Sequence, residues 1–79
     1  MTPAELKSAV EGRLGGPVPQ DVFDEAEAQG RAKLAYINGR YGTDHGDDYL
    51  VELIREAVVA AAMAARYNGK GGRPRDPLP

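Results

Sequence analysis

An uninterrupted apolar run at residues 57–65 constrains the fold of this chain more than any other feature. The run has nine residues, whereas a membrane-spanning helix needs roughly 20. Alanine, valine and methionine at successive positions leave no polar side that could face water. The run therefore predicts a helix that is covered on more than one side, either by the other helices of the chain or by a second copy of it.

The length and the lack of cysteine limit how this chain can be stabilised. Its 79 residues allow one hydrophobic core, which rarely supplies more than about 3 to 5 kcal/mol. Because there is no cysteine, neither disulfides nor thiolate metal sites can add to that stability. We therefore expect a single domain that self-associates as a homodimer through the apolar run, with Val58, Ala61, Ala62 and Ala65 at the interface.

Local signals predict the bounds of the first two helices. Thr2 and Glu5 have the spacing of a capping box, and Pro3 suits the first helical position. Glycine and proline at residues 15–19 end this helix and form a stiff connector. Asp21 is the predicted N-cap of the second helix, which ends near Asn38 and Gly39.

Apolar spacing predicts which side of the second helix is buried. The expected buried stripe consists of Phe23, Ala26, Gly30, Leu34 and Ile37, with Tyr41 as a further member. A glycine within such a stripe allows a neighbouring backbone to approach closely. A third helix is expected from about residue 48 to residue 67, with Thr43, Asp44 or Asp47 as its cap.

These elements predict an all-α fold, a compact bundle of about three helices at residues 1–67. Residues 68–79 are rich in glycine and proline and have little to bury, so they are expected to form a flexible basic tail. Residues 1–65 hold eleven acidic and six basic side chains, and residues 66–79 hold one acidic and four basic. The body therefore carries a charge of −5 and the tail +3, an asymmetry that affects which partners the protein attracts.

The tail contains a short basic motif that resembles part of an AT-hook. Lys70 and Arg75 flank a Gly-Arg-Pro sequence that contains Arg73, and in AT-hooks this sequence lies in the minor groove of DNA. The resemblance implies nucleic-acid contacts by these three side chains, although Gly71 and Asp76 depart from the pattern. The same composition also fits a solvated tail without a binding role.

A second cluster of charge lies at the start of the third predicted helix. Its members are Asp44, Asp47, Asp48, Glu52 and Glu56. Acidic residues at a helix start are favoured by the helix dipole, which explains part of the cluster without any function. The functional interpretation is a partner-binding acidic face that occupies a basic groove on another protein. Tyr36, Tyr41, Tyr49 and Tyr67 are either additional interface anchors or cover for the small core.

The sequence predicts no catalytic, cofactor-binding or metal site. His45 lies among aspartates, but the spacing matches neither a calcium loop nor a two-histidine zinc motif. The glycines at positions 39, 42 and 46 lack the lysine and hydroxyl residue of a phosphate-binding loop. A chain this short also has little material for a shaped active-site pocket. We therefore expect a non-enzymatic protein that requires no cofactor.

The amino-terminal residues lack the basic and apolar regions of a secretory signal. We therefore expect a protein of the bacterial cytoplasm without a membrane partner.

In its small size, absence of cysteine, helical character and acidic surface, the chain resembles the small phage-encoded anti-CRISPR proteins. That resemblance implies an inhibitor that binds a CRISPR effector complex through Asp44, Asp47, Asp48, Glu52 and Glu56 and blocks its nucleic-acid binding. One alternative is a small dimeric DNA-associated transcriptional regulator that uses its basic tail, although an acidic body disfavours direct DNA binding. Another alternative is a structural or assembly component of a phage.

Overall fold

Three helices form the fold: α1 (Pro3–Leu14), α2 (Gln20–Tyr41) and α3 (Asp47–Gly71). The computed structural model describes the backbone of residues 1–71 and the side chains of residues 1–66. Within residues 1–71 there is no β-strand, so the predicted all-α bundle of three helices is confirmed. The predicted tail beyond residue 71 lies outside the described residues.

Helix α1 begins and ends as the sequence predicts. The amide of Glu5 donates a hydrogen bond to the Thr2 hydroxyl at 3.1 Å, and the Thr2 amide donates to the Glu5 carboxylate at 2.8 Å. This reciprocal pair is the predicted capping box. Gly15 ends the helix with a φ of 81°, a left-handed conformation that costs glycine little.

The bounds of α2 differ from those predicted at both ends. Pro19 occupies the N-cap position and offers no side-chain cap, while the Asp21 carboxylate accepts a hydrogen bond from the Val22 amide inside the first turn. At the other end, Gly39 remains helical, and Gly42 provides the left-handed cap with a φ of 65°. The predicted carboxyl-terminal end was wrong because glycine adopts both helical and left-handed conformations. The first glycine of such a segment therefore need not be the one that ends the helix.

Helix α3 also departs from its predicted bounds. The carbonyl of Gly46 accepts hydrogen bonds from the Tyr49 and Leu50 amides, both at 3.1 Å. The backbone of Gly46 thus starts the helix, instead of a side chain of Thr43, Asp44 or Asp47. The helix continues to Gly71, past the predicted boundary at residue 67, because no proline interrupts the chain before Pro74.

The core forms where α3 packs against both other helices. Its fully buried side chains are Leu6 and Val10 from α1, Phe23 from α2, and Leu50, Val51 and Ile54 from α3. Each buried leucine or isoleucine contributes about 1.5 to 3 kcal/mol relative to an exposed one. Val18 in the connector is buried as well, so the segment between α1 and α2 is part of the core and not merely a link.

The predicted buried stripe of α2 is confirmed in its first half and fades in its second half. Phe23, Ala26 and Gly30 are buried, whereas Leu34 and Ile37 are half-buried. Tyr41 exposes 67% of its surface, so its assignment to the stripe was wrong. It is the last residue of α2, where it lines an open cavity together with Tyr49 of α3.

The carboxyl-terminal half of α3 receives little cover within the protomer. Val59 is half-buried, and every residue from 60 to 66 is exposed. The apolar run predicted burial of these residues by the other helices or by a second copy of the chain. The other helices of the same chain leave residues 60–66 exposed.

Candidate protein-interaction site

Three of the five predicted partner-binding carboxylates take part in ion pairs within the protomer. Asp47 accepts a hydrogen bond from the Met1 ammonium group at 2.9 Å. Glu52 pairs with Arg13 of α1 and with Arg55 at 3.1 Å. The Arg55 guanidinium also lies 4.0 Å from Glu56. The acidic cluster is therefore partly neutralised by its own chain.

The five carboxylates do not lie on one continuous face. Asp48, Glu52 and Glu56 recur at intervals of four residues and share one side of α3. Asp47 instead faces the start of α1, where it binds the ammonium group of Met1. No cation of residues 1–66 lies within ion-pair distance of Asp44 or Asp48. These two side chains and Glu56 are exposed.

An open cavity lined by aromatic rings adjoins this acidic side of α3. It has a volume of about 580 Å³, and its wall includes Tyr36, Tyr41, His45, Tyr49 and Glu56. Tyr36 and Tyr41 expose 64% and 67% of their surfaces. We call these five residues the aromatic–acidic surface; Lys33 lines the same cavity. Asp44 and Asp48 are exposed but do not line it.

A network centred on Asn38 positions the histidine of this surface. The Asn38 side-chain oxygen accepts hydrogen bonds from the Thr43 hydroxyl at 2.8 Å and the His45 amide at 3.0 Å. Its side-chain nitrogen donates to the His45 carbonyl at 3.2 Å. The ring of His45 then stacks on Tyr49, with 4.4 Å between the ring centroids.

The tyrosines at positions 36, 41 and 49 could be identified from the sequence, but the cavity between them could not. Tyr36 and Tyr41 come from α2, His45 from the loop and Tyr49 from α3, so only the turn at residues 42–46 brings their rings together. The sequence signal for this turn was Asn38, four residues before it, since an asparagine side chain often forms hydrogen bonds with the backbone of a turn. Tyr67 lies outside the residues whose side chains are described.

The predicted dimer-interface residues fall into two groups. Val58 is only 8% exposed and belongs to the core of the protomer. Ala61, Ala62 and Ala65 are exposed. They line an apolar groove of about 650 Å³, whose larger side chains are Leu14, Val18, Val22, Val58, Val59 and Met63.

The predicted nucleic-acid contacts of the tail fall outside the described side chains. The backbone of Lys70 lies in the last turn of α3, but its side chain is not described. Arg73 and Arg75 lie beyond residue 71.

The ion pair between Met1 and Asp47 shifts the pKa of both of its groups. The hydrogen bond that the Met1 ammonium group donates to Asp47 raises the pKa of the ammonium group above its ordinary value of 8.0. The same bond lowers the pKa of Asp47 below 3.8. Within the described residues, no three histidine or carboxylate side chains gather into a set that could hold a metal ion.

Comparisons of this chain with protein-family models, with curated proteins and with solved structures returned no match. None of the helices in residues 1–71 has both the length and the apolar character that crossing a bilayer requires.

Proposed function

We propose that this protein is a non-enzymatic binding protein whose aromatic–acidic surface docks onto a basic surface of another protein. The observation that carries the proposal is the exposure of Tyr36 and Tyr41 beside the stacked rings of His45 and Tyr49, around one open cavity. Tyrosine is enriched at binding hot spots, and its ring loses little conformational entropy when it is fixed.

The charges on the rim support a partner rich in arginine. Glu56 is an exposed carboxylate in the wall of the aromatic cavity, which also holds one lysine, Lys33. The exposed Asp44 and Asp48 directly precede His45 and Tyr49 of that wall in the chain. An arginine side chain can pair with a carboxylate through its planar fork and stack on a tyrosine ring at the same time. A lysine would gain less from such a surface, because its ammonium group makes no planar contact.

Arginine-rich surfaces of this kind are typical of proteins that bind nucleic acids, where basic side chains neutralise phosphates. The proposed activity is therefore inhibition: the aromatic–acidic surface occupies the basic groove and excludes the nucleic acid. The resemblance to small anti-CRISPR proteins makes a CRISPR effector complex the specific partner that we propose.

Affinity capture from a bacterial lysate tests the binding function. The wild-type protein is expected to recover a nucleic-acid-binding complex without its nucleic acid, while the Tyr49→Ala and Glu56→Lys variants recover much less of it. Asp24→Lys is the matched control, because Asp24 is exposed on α2 outside this surface. Equal recovery of the complex by the Glu56→Lys variant and the wild-type protein would rule out the aromatic–acidic surface as the binding site.

The CRISPR assignment has a separate test. Expression of the protein in a bacterium whose CRISPR system targets an infecting phage should restore plaque formation, and the Glu56→Lys variant should not. If plaque counts stay low with the wild-type protein in every CRISPR type tried, the partner belongs to another class.

A further inference from the structure

Asp21 and Glu25 of α2 lie beside the carboxyl-terminal half of α3. They line a concave surface of about 360 Å³ together with the small side chains of Ala57, Ala61 and Ala64, and we call this surface the acidic concavity. Both carboxylates are exposed. Among residues 1–66, no cation lies within ion-pair distance of either one. The acidic concavity therefore carries two negative charges that this part of the chain does not neutralise.

The acidic concavity lies close to the point at which the chain leaves α3. Helices α2 and α3 run antiparallel, since Gly30 packs on Ile54 whereas Asp21 lies nearer the end of α3, beside Ala64. The last residue of α3 is Gly71, seven residues after Ala64. Seven residues of helix rise about 10 Å, so the chain leaves α3 about this far along the helix from the level of Asp21.

The segment that follows α3 carries the opposite charge and is long enough to return to the acidic concavity. Residues 72–75 read Gly-Arg-Pro-Arg. Pro74 cannot continue an α-helix, and glycine at positions 71 and 72 permits a sharp turn. The four residues from Gly71 to Arg75 span up to about 14 Å when extended, and the arginine side chain reaches further. That length covers the return of about 10 Å along α3 together with the spacing of about 8 to 10 Å between packed helices.

We propose that the segment Arg73-Pro74-Arg75 folds back onto the acidic concavity, where its two guanidinium groups pair with Asp21 and Glu25 of the same chain. Charge complementarity selects this occupant, because two cations meet two carboxylates. The covalent connection through α3 also holds the segment beside the carboxylates at an effective concentration on the order of millimolar. In the docked state both arginines are paired within the chain and are not free to bind phosphate groups.

The aromatic–acidic surface lies beyond the reach of this segment. Its carboxylate, Glu56, precedes Gly71 by fifteen residues, which is about 22 Å along a helix. The chain from Gly71 to Arg75 spans only about 14 Å. The docking of the segment is therefore independent of the proposed function, and each can fail without the other.

Paramagnetic relaxation enhancement of the full chain tests the proposal. Because the chain has no cysteine, Pro77→Cys provides a single attachment site for a nitroxide label, two residues after Arg75. We expect the label to broaden the amide signals of residues 21–25. Replacement of Arg73 and Arg75 by glutamine should reduce this broadening about fourfold, since each exposed ion pair contributes modestly, and salt at about 0.5 M should act in the same direction. Equal broadening with and without the two arginines would overturn the proposal.

Removal of single charges from α2 tests whether the acidic concavity is the docking site. Asp21→Asn and Glu25→Gln should each reduce the broadening about twofold. Asp24→Asn is the matched control, because Asp24 is exposed on α2 but does not line the concavity, and it should leave the broadening unchanged. An equal effect of all three variants would overturn the site. Circular dichroism checks that each variant keeps its helices.

A mixed sample tests whether the contact forms within one chain. Spin-labelled chains are added to isotope-enriched chains without a label, so that only contacts between chains broaden the observed signals. We expect no broadening at residues 21–25 in this mixture. Broadening as strong as in the singly labelled chain would show that the segment docks on another copy, and would overturn the proposal.

Discussion

Gly30 of α2 lies against Ile54 of α3 so closely that no side chain fits between them. A Cβ atom at position 30 would lie 2.9 Å from the Ile54 Cγ1 atom and 3.4 Å from the Ile54 amide nitrogen. The expectation that this glycine lets a neighbouring helix approach is therefore confirmed. Since α2 and α3 also position the aromatic rings, this contact determines how the walls of the aromatic cavity meet.

Gly30→Ala should destabilise the protein. The added methyl group must displace Ile54, a stiff β-branched side chain, and overpacking of a core costs about 1 to 3 kcal/mol. The better helix propensity of alanine offsets about 1 kcal/mol of this. Urea unfolding should therefore show a net loss of roughly 1 kcal/mol.

Gly12→Ala and Gly39→Ala provide matched controls for that experiment. Both glycines lie within helices, and a Cβ atom at either position would meet nothing within 4 Å. Each replacement should stabilise the protein by about 0.5 to 1 kcal/mol. If Gly30→Ala also stabilised it, the close approach of the two helices would be wrong.

Asn38→Ala should loosen the loop that carries His45. The substitution removes three side-chain hydrogen bonds, to the Thr43 hydroxyl and to the amide and carbonyl of His45. Because these bonds are near solvent, a loss of about 1 kcal/mol in total is expected. Amide hydrogen exchange should accelerate at residues 43–46 and not in the middle of α2, whereas unchanged exchange at these residues would contradict the role of Asn38.

Glu52→Lys and Glu56→Lys should separate the structural carboxylates from the proposed binding carboxylates. Glu52 joins α1 to α3 through Arg13 and also contacts Arg55. A lysine there faces two guanidinium groups, so a loss of stability of about 1 kcal/mol is expected. Glu56 is exposed and only 4.0 Å from one guanidinium, so its reversal should change the melting temperature less. If Glu56→Lys lowered the melting temperature more than Glu52→Lys did, Glu56 would be the structural residue.

The ion pair of Met1 with Asp47 should stabilise the fold only between its two pKa values. The pKa of Asp47 in the folded protein lies below 3.8. Its contribution to stability is therefore complete above pH 3.8 and is lost as the pH falls through the folded pKa. The ammonium group has a folded pKa above 8.0, so its contribution is complete below 8.0 and is lost as the pH rises through the folded pKa. NMR titration should show that acetylation of the amino group returns the pKa of Asp47 toward 3.8.

The sequence predicted the structural features that depend on residues close together in the chain. The capping box of Thr2 and Glu5, the left-handed Gly15 and the buried Phe23 each follow from a pattern of a few positions. Helix ends were harder to predict where several glycines compete. Gly39 and Gly42 are both compatible with a C-cap, and packing and the Asn38 network select between them.

The candidate site was less predictable because it depends on contacts between distant parts of the chain. Nothing local to Glu52 indicates that Arg13 reaches it from another helix. Similarly, Val58 belongs to an apolar run that suggested a dimer interface, yet it is buried in the same core cluster as Val18 of the connector. The identity of the acidic and aromatic residues could be read from the chain, but their partners required the fold.

Because the core forms where α3 packs on both α1 and α2, the order of synthesis restricts when the protein can fold. Helix α1 packs mainly on α3, whose first core residue, Leu50, comes roughly 40 residues after Leu6 and Val10 in the chain. A ribosome-bound chain that has not yet exposed α3 has no core to close, and a short isolated helix such as α1 is marginal in water. We expect α1 and α2 to stay largely unstructured until α3 emerges, so the chain folds in one late step.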